Sequence, residues 1–282
     1  RTSRMIQFSS SDELPLDQRP PSVLVPTMGA LHDGHAALIR RAREIAGREG
    51  DVTVSIFLNP LQFNSSSDLE TYPRTLEADL LLCRSLGVDA VYTPSPKEFY
   101  AADHSISIVE NSLSRALCGA TRPGHFEGVC TVVLKLFNTL QPSHAIFGKK
   151  DYQQLAIIRR LVRDLGVSVQ IHGVETVREP DGLAFSSRNL MLTPEHRKDA
   201  SRIRRALLCI QHFRETGEQR SEAYLQTVRK HLVENAPPEM GIEYLEIIDS
   251  ETLIPLEKVA GPALLATAVT YDTVRLIDNI EI

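Results

Sequence analysis

Short apolar runs alternate with longer amphipathic segments from Val23 to Val174. The runs at 23–25, 52–58, 88–93, 144–147 and 168–173 are rich in β-branched residues. They read as parallel strands buried on both faces. The intervening segments 35–48, 75–86, 127–140 and 151–165 read as helices. In the last, Leu155, Ile158, Leu161, Val162 and Leu165 recur at helical spacing. Strict alternation of strand and helix predicts βαβ units with right-handed crossovers. The expected fold over residues 1–176 is therefore α/β, a Rossmann-like parallel sheet.

The pattern then changes. Glu175 to Asn189 is irregular, and Pro180-Asp181-Gly182 marks a turn. Thr193-Pro194 reads as a helix N-cap followed by the first helical residue. Helices are expected near 194–214 and 219–235, then strands at 242–248, 263–270 and 273–280. Helices followed by strands predict a smaller α+β domain over 177–282, with the boundary near Thr176.

Composition narrows the function. The 282 residues carry a net charge of −5, which argues against a nucleic-acid partner held by bulk charge. No apolar run reaches bilayer length, so no membrane partner is expected. The four cysteines, Cys83, Cys118, Cys130 and Cys209, show no CxxC spacing and read as reduced thiols of a cytoplasmic protein. The first residues lack the apolar core of a secretion signal. Residues 1–4, ahead of Met5, read as a trimmed start or an added remnant.

The chemistry concentrates at Ser22 to His35, SVLVPTMGALHDGH. A buried strand leads into a tight turn, and His32-Asp33-Gly34-His35 opens a helix. Helix N-termini offer unpaired N–H groups and the positive end of the macrodipole, which suits phosphate. Two imidazoles on that turn add donors, and Gly29 and Gly34 let a ligand approach the backbone. Zinc is a weaker reading, because zinc helices favour i, i+4 histidines with a Glu between them.

In a parallel sheet, ligands bind beyond the carboxyl ends of the strands. Each predicted strand delivers a polar cluster there. Asn59-Pro60-Leu61-Gln62-Phe63 follows the second, and the loop reaching Arg122-Pro123-Gly124-His125 follows the third. Gly148-Lys149-Lys150-Asp151 follows the fourth, and Phe185-Ser186-Ser187-Arg188-Asn189 the fifth. HxGH after a hydrophobic strand resembles the signature of the nucleotidyltransferase superfamily. The set VPTMGALHDGH, NPLQF, YPRT, RPGHFEGV, FGKKDYQQ and SSRN, with LEIIDSETL and RLIDN, resembles the pantothenate synthetases in order and spacing from Pro21 to Asn279.

That resemblance implies ATP-dependent ligation of D-pantoate to β-alanine through a pantoyl adenylate, releasing AMP and pyrophosphate. It implies magnesium, a cytoplasmic homodimer and a C-terminal domain acting as a lid. His35, His32, Lys150 and Arg188 take the catalytic positions. The ATP site takes Met28, Gly29, Ala30, Leu31, His32, Asp33, Gly34 and His35. It continues with Gly148, Lys149, Lys150, Asp151, Val177, Phe185, Ser186, Ser187 and Arg188. Gln62 and Gln154 match the pantoate ligands, with Asn59 and Tyr72 lining the same pocket. Asp79, in YPRTxxxD, is the candidate magnesium residue, with a solvated helix-face carboxylate as the alternative. Arg122 and His125 are either functional or serve to order the helix after them. Two departures from the family stand out. Residues 9–21 read as loop where a longer helical stretch is usual, which should alter a sheet edge. Phe185 replaces a common aliphatic or Met residue. The competing readings are an adenylyltransferase acting on a phosphate acceptor, a non-enzymatic nucleotide-binding module, and a zinc-binding structural protein.

Overall fold

The computed structural model describes residues 5–14, 19–211 and 216–282. They form two compact units. The first comprises the described residues of Arg1–Glu110, Arg122–Lys149 and Gln154–Glu175. The second comprises those of Asn111–Thr121, Lys150–Gln153 and Thr176–Ile282. Two short segments from within the expected first domain thus pack with the C-terminal residues.

The first unit is built on a six-stranded sheet of β1 (Ile6–Phe8), β2 (Ser22–Thr27), β3 (Asp51–Ile56), β4 (Ala90–Tyr92), β5 (His144–Gly148) and β6 (Gln170–Val174). The order is β1-β4-β3-β2-β5-β6, and every pairing is parallel. Val23, Val25, Val52, Val54, Val91 and Ile146 fill the core against Ile39, Ala42 and Ala46 of helix Asp33–Ala46. β2 sits at the switch point, with β3 on one side and β5 on the other. The crevice beyond the carboxyl ends of β2 and β5 is where such sheets take ligands.

Strand β1 was not expected. Only Phe8 of its three residues is buried, so local pattern does not announce it. Parallel pairing with β4 makes it a strand. The expected loop that follows contains a 3-10 turn, Ser11–Glu13, closed by a Ser10/Glu13 capping box. Residues 15–18 of that stretch lie outside the described residues.

The second unit carries an antiparallel sheet of β7 (Met240–Asp249), β8 (Ala263–Tyr271) and β9 (Val274–Glu281), in that spatial order. Ile203, Leu207, Tyr224 and Val228 pack against Leu265, Val269 and Leu276. The single helix expected near 194–214 is divided into Pro194–Asp199 and Arg202–Leu208. Ser201 donates its hydroxyl to Lys198 O at 3.3 Å, and Ile203 N donates to Ala200 O. These i to i−3 bonds tighten the turn between the two helices. Residues 212–214 lie outside the described residues, and helix Ser221–Val233 occupies the second predicted span.

No helix among the described residues is long and apolar enough to cross a membrane. All four cysteines are free. Burial pushes the Cys83 and Cys130 thiols up to about 12, which leaves them poor nucleophiles at neutral pH.

Candidate active site

Leaving β2, the chain turns sharply. Thr27 Oγ1 donates to Ser55 O at 2.8 Å and accepts from Gly29 N at 3.2 Å. Gly29 sits at φ +83, where a Cβ would crowd Ile56 and Asp79. Ala30 follows at φ +50, a conformation that costs an L-residue about 1–2 kcal/mol. Asp79 holds it there. One carboxylate oxygen accepts from Ala30 N at 3.0 Å; the other accepts from Leu31 N at 2.8 Å and Thr75 Oγ1 at 3.0 Å.

This bears on both alternatives for Asp79 and corrects the solvated one. It is 2% exposed, so it is no solvated helix-face carboxylate, and both oxygens face N–H and O–H donors. A magnesium ligand needs lone pairs turned toward the ion. Asp79 instead fixes the turn that presents the histidines. Among the described residues no group of three or more His, Cys, Asp or Glu is arranged to hold a metal ion.

His32 is the N-cap of helix Asp33–Ala46. Its Nδ1 accepts from Gly34 N at 3.1 Å, and His35 Nδ1 accepts from His32 N at 3.3 Å. The rings lie 4.1 Å apart, centroid to centroid. The two histidines form a capping box through their Nδ1 atoms, a role that the expectation of two extra donors does not include. Because each Nδ1 receives a backbone N–H, the neutral rings carry their protons on Nε2. Each ring can donate to a ligand only through that atom. Asp33 is exposed, and Gly34 gives the box its close backbone contact.

The Asn59–Gln62 cluster lies beyond β3. Asn59 is 1% exposed and its amide is saturated within the protein. Nδ2 donates to Gln62 Oε1 at 3.0 Å and Gly128 O at 3.1 Å. Oδ1 accepts from Leu61 N at 3.3 Å and Tyr100 OH at 2.9 Å. Asn59 therefore orients Gln62. Gln62 Nε2 donates to Met28 Sδ at 3.1 Å, a weak acceptor that a carboxylate or hydroxyl can replace. The Gln62 carbonyl is held from behind by His125 Nδ1–H at 2.8 Å and Arg122 Nη2 at 3.2 Å. These bonds tie RPGHF to the Gln62 main chain. At Gly128 a Cβ would stand 2.4 Å from Leu61 O, so helix His125–Leu140 packs against this cluster only with glycine there. Tyr72 is buried edge-on against Phe63, the neighbour of Gln62.

Beyond β5, Gly148 and Lys149 remain in the first unit. Lys149 Nζ pairs with Glu175 Oε1 at 2.5 Å. Gln154, on the first turn of helix Tyr152–Asp164, is half-buried in the same unit. In the second unit, Lys150 Nζ lies 3.7 Å from Asp151 Oδ2, and Lys150 O accepts from Asn279 Nδ2 at 3.0 Å. Gln153 is buried and donates to Leu113 O and Ala116 O. Each of these two lysines thus has a carboxylate close by.

The irregular stretch after Thr176 is a short hairpin. Phe185 N donates to Val177 O at 3.0 Å, Arg178 bridges Ala184, and Gly182 turns at φ +92. Val177 and Phe185 therefore face each other across it. Ser186 caps the following 3-10 helix by accepting from Arg188 N at 3.3 Å, and Ser187 is buried. Asn189 Nδ2 ties this turn to Glu179 Oε1 and Ala184 O. Arg178, Asp278 and Asn279 were not among the expected site residues. The signal for Asp278 and Asn279 is the RLIDN motif, which carries resemblance but no role; Arg178 lies outside every quoted motif.

Comparison with known proteins agrees across the whole chain. The family pattern described as pantoate-beta-alanine ligase matches residues 6–281. A pantothenate synthetase from Akkermansia muciniphila is 56% identical over 263 residues, covering 92% of each chain. One from Moorella thermoacetica is 48% identical over 258 residues, covering 91% of this chain and 89% of the relative. The crystal structure of pantothenate synthetase from Thermus thermophilus superposes with a TM-score of 0.90 at 43% identity, covering 98% of this chain and 99% of that one. A pantoate-beta-alanine ligase from Francisella tularensis, crystallised with beta-gamma ATP and beta-alanine, gives 0.77 at 33% identity, covering 98% and 97%. The match over residues 6–281 and the identity over nearly the whole of both chains place this chain in the pantoate-beta-alanine ligase family.

Proposed function

We propose that the protein condenses D-pantoate with β-alanine at the expense of ATP, through a pantoyl-adenylate intermediate. The observation that carries this reading is the histidine capping box at the carboxyl end of the switch-point strand. It aims the donor capacity of both rings through Nε2. Gln62, whose amide N–H meets only a weak sulfur acceptor in its bond to Met28, supplies the acid-binding side of the same unit. The Francisella relative, crystallised with beta-gamma ATP and beta-alanine, supports the same substrates here.

In the first step a pantoate carboxylate oxygen bonds to the α-phosphorus and the bond to the β-phosphate oxygen breaks, releasing pyrophosphate. A carboxylate is already ionised at neutral pH, so the protein supplies no base. It supplies alignment and positive potential. His32, His35, Lys150 and Arg188 are assigned to the phosphates, Val177 and Phe185 to the adenine, and Gln62 with Gln154 to pantoate. In the second step the β-alanine nitrogen bonds to the acyl carbon, AMP leaves with the shared oxygen, and the amine gives up a proton. Magnesium enters this reading with the triphosphate, since the ion binds phosphates readily and keeps several waters. Both Asp79 oxygens already accept N–H or O–H hydrogen bonds, so its geometry does not fit a ligand of the ion.

A cytoplasmic homodimer belongs to the same reading. The four free cysteines support the compartment. Light scattering in solution tests the dimer.

Isotope exchange between pyrophosphate and ATP, with D-pantoate present and β-alanine absent, tests the chemistry. Pantoate-dependent exchange is expected. Exchange without pantoate, or AMP transfer to a phosphate acceptor, overturns the ligase reading in favour of an adenylyltransferase.

A further inference from the structure

Asp278 and Asn279 are adjacent on β9, an edge strand of the three-stranded sheet. Neighbouring residues of a strand point to opposite faces. The face of Asp278 is that of Val274 and Leu276, which pack in the core with Leu183, Ile203 and Leu207. The face of Asn279 is that of Arg275, which reaches Glu243 and Cys118 Sγ. One dipeptide therefore sends a polar side chain to each side of the sheet.

Each side chain ends on a segment to which the proposed reaction assigns ATP-binding residues. Asp278, 4% exposed, accepts Arg178 Nη1 at 2.7 Å and Nη2 at 2.9 Å. Arg178 Nη1 also donates to Gly182 O at 3.1 Å, and its backbone bridges Ala184. The Asp278 carboxylate thus fastens the base of the hairpin that runs from Val177 into Ser186-Ser187-Arg188. On the other face, Asn279 Nδ2 donates to the main-chain oxygen of Lys150 at 3.0 Å. The two arms are coupled, because Asp278 Oδ1 also accepts from Asn279 N at 2.8 Å. Edge satisfaction alone does not call for this. An edge N–H needs an acceptor, which Asp278 provides, but the Asn279 amide reaches away from the edge to a segment more than a hundred residues earlier in the chain.

We infer that Asp278 and Asn279 are positioning residues for the adenylation step. Asn279 sets the main-chain position from which Lys150 projects, and Asp278 sets the hairpin that carries Val177 and Phe185 to Arg188. The inference rests on the proposed role of Lys150 and of the hairpin in binding ATP. A shift of about 1 Å in a positioned group can cost on the order of 100-fold in rate.

The test is pantoate-dependent pyrophosphate–ATP exchange on the full-length protein carrying Asn279→Ala, Asp278→Asn, Lys150→Ala or Lys150→Ala with Asn279→Ala. Asn279→Ala is expected to lower kcat about 10- to 100-fold with little change in the KM for ATP. Asp278→Asn is expected to act chiefly on the KM for ATP. A loss of folded protein would lower kcat in the Lys150→Ala background as well, so the double variant separates positioning from folding. In the Lys150→Ala background, Asn279→Ala is expected to cost nothing further, because its effect runs through Lys150. Wild-type kcat in Asn279→Ala, or full additivity in the double variant, overturns the positioning role while leaving the ligase reading intact. Wild-type activity in Lys150→Ala overturns the assignment of Lys150 itself. Should Asp278→Asn fail to fold, the Asn279 and Lys150 arms still decide the matter.

Discussion

Asp79→Asn changes one oxygen to an amide nitrogen at nearly constant size. The variant keeps an oxygen for Leu31 N and Thr75 Oγ1, which share Oδ1. The other atom becomes an NH2 group facing Ala30 N–H, donor against donor. Losing one hydrogen bond to a charged group removes about 1.5–3 kcal/mol, and a buried N–H left without an acceptor costs about 1–3 kcal/mol. These penalties overlap, so the expected destabilisation is about 2–4 kcal/mol. Ala30 adds to it: the clamp that offsets its φ of +50 is weakened, and the turn relaxes. Urea unfolding gives the magnitude, read as a lower midpoint at unchanged slope. Because the turn leads directly into His32, kcat should fall as well, while the magnesium concentration at half-maximal rate stays constant. A change in stability below about 0.5 kcal/mol with normal kcat would refute the clamp. A selective rise in the magnesium requirement would restore Asp79 as a metal ligand.

His35→Ala is expected to lower turnover about 100- to 1000-fold, the usual loss for one transition-state donor, and an unchanged rate removes His35 from the mechanism. Gln62→Ala should raise the KM for pantoate with the KM for ATP unchanged; a selective ATP defect contradicts its assignment. Gly128→Ala puts a Cβ 2.4 Å from Leu61 O and should cost about 1–3 kcal/mol in unfolding experiments, together with weaker pantoate binding. Acid sensitivity is expected from His172. Burial, then the neighbouring His144, Arg41 and Arg159, lower its pKa from 6.5. The unfolded chain binds the proton more readily, so this contribution is complete above pH 6.5 and is lost as the pH falls toward the folded-state pKa. Its slope is at most about 1.4 kcal/mol per pH unit, reduced by the partial exposure of the ring. His172→Gln should flatten the acid side of the stability profile; an unaltered profile refutes the assignment.

Much of the architecture was legible from periodicity. The central strands and their helices announce themselves because parallel strands are apolar on both faces and helices on one. Ile6–Phe8 is silent because pairing with β4, not pattern, makes it a strand. The division after Asp199 is silent because a serine hydroxyl competing for a helix carbonyl leaves the apolar spacing intact. Within the candidate site, the sequence identified which residue types gather at the strand ends but not what each touches. Asn59, Asp79, Arg122 and His125 are all polar residues in motifs, and all four hold other parts of the site. Spacing cannot tell a group that meets a ligand from one that orients its neighbour, because both need the same chemistry. The histidine capping box is an instance: an i, i+3 pair at a helix start reads as two donors, and only the backbone N–H groups on both Nδ1 atoms reveal that the rings also cap the helix.

On the proposed assignment of Gln62 to pantoate, the saturated amide of Asn59 has a consequence for redesign of the acid substrate. With every hydrogen-bonding position of Asn59 committed to Gln62, Leu61, Gly128 and Tyr100, the direction in which Gln62 reaches is set by residues behind it. Evolving acceptance of a longer or bulkier hydroxy acid should therefore begin at Tyr100. Tyr100→Phe frees one lone pair on Asn59 and lets the whole cluster tilt while the recognition chemistry of Gln62 is retained.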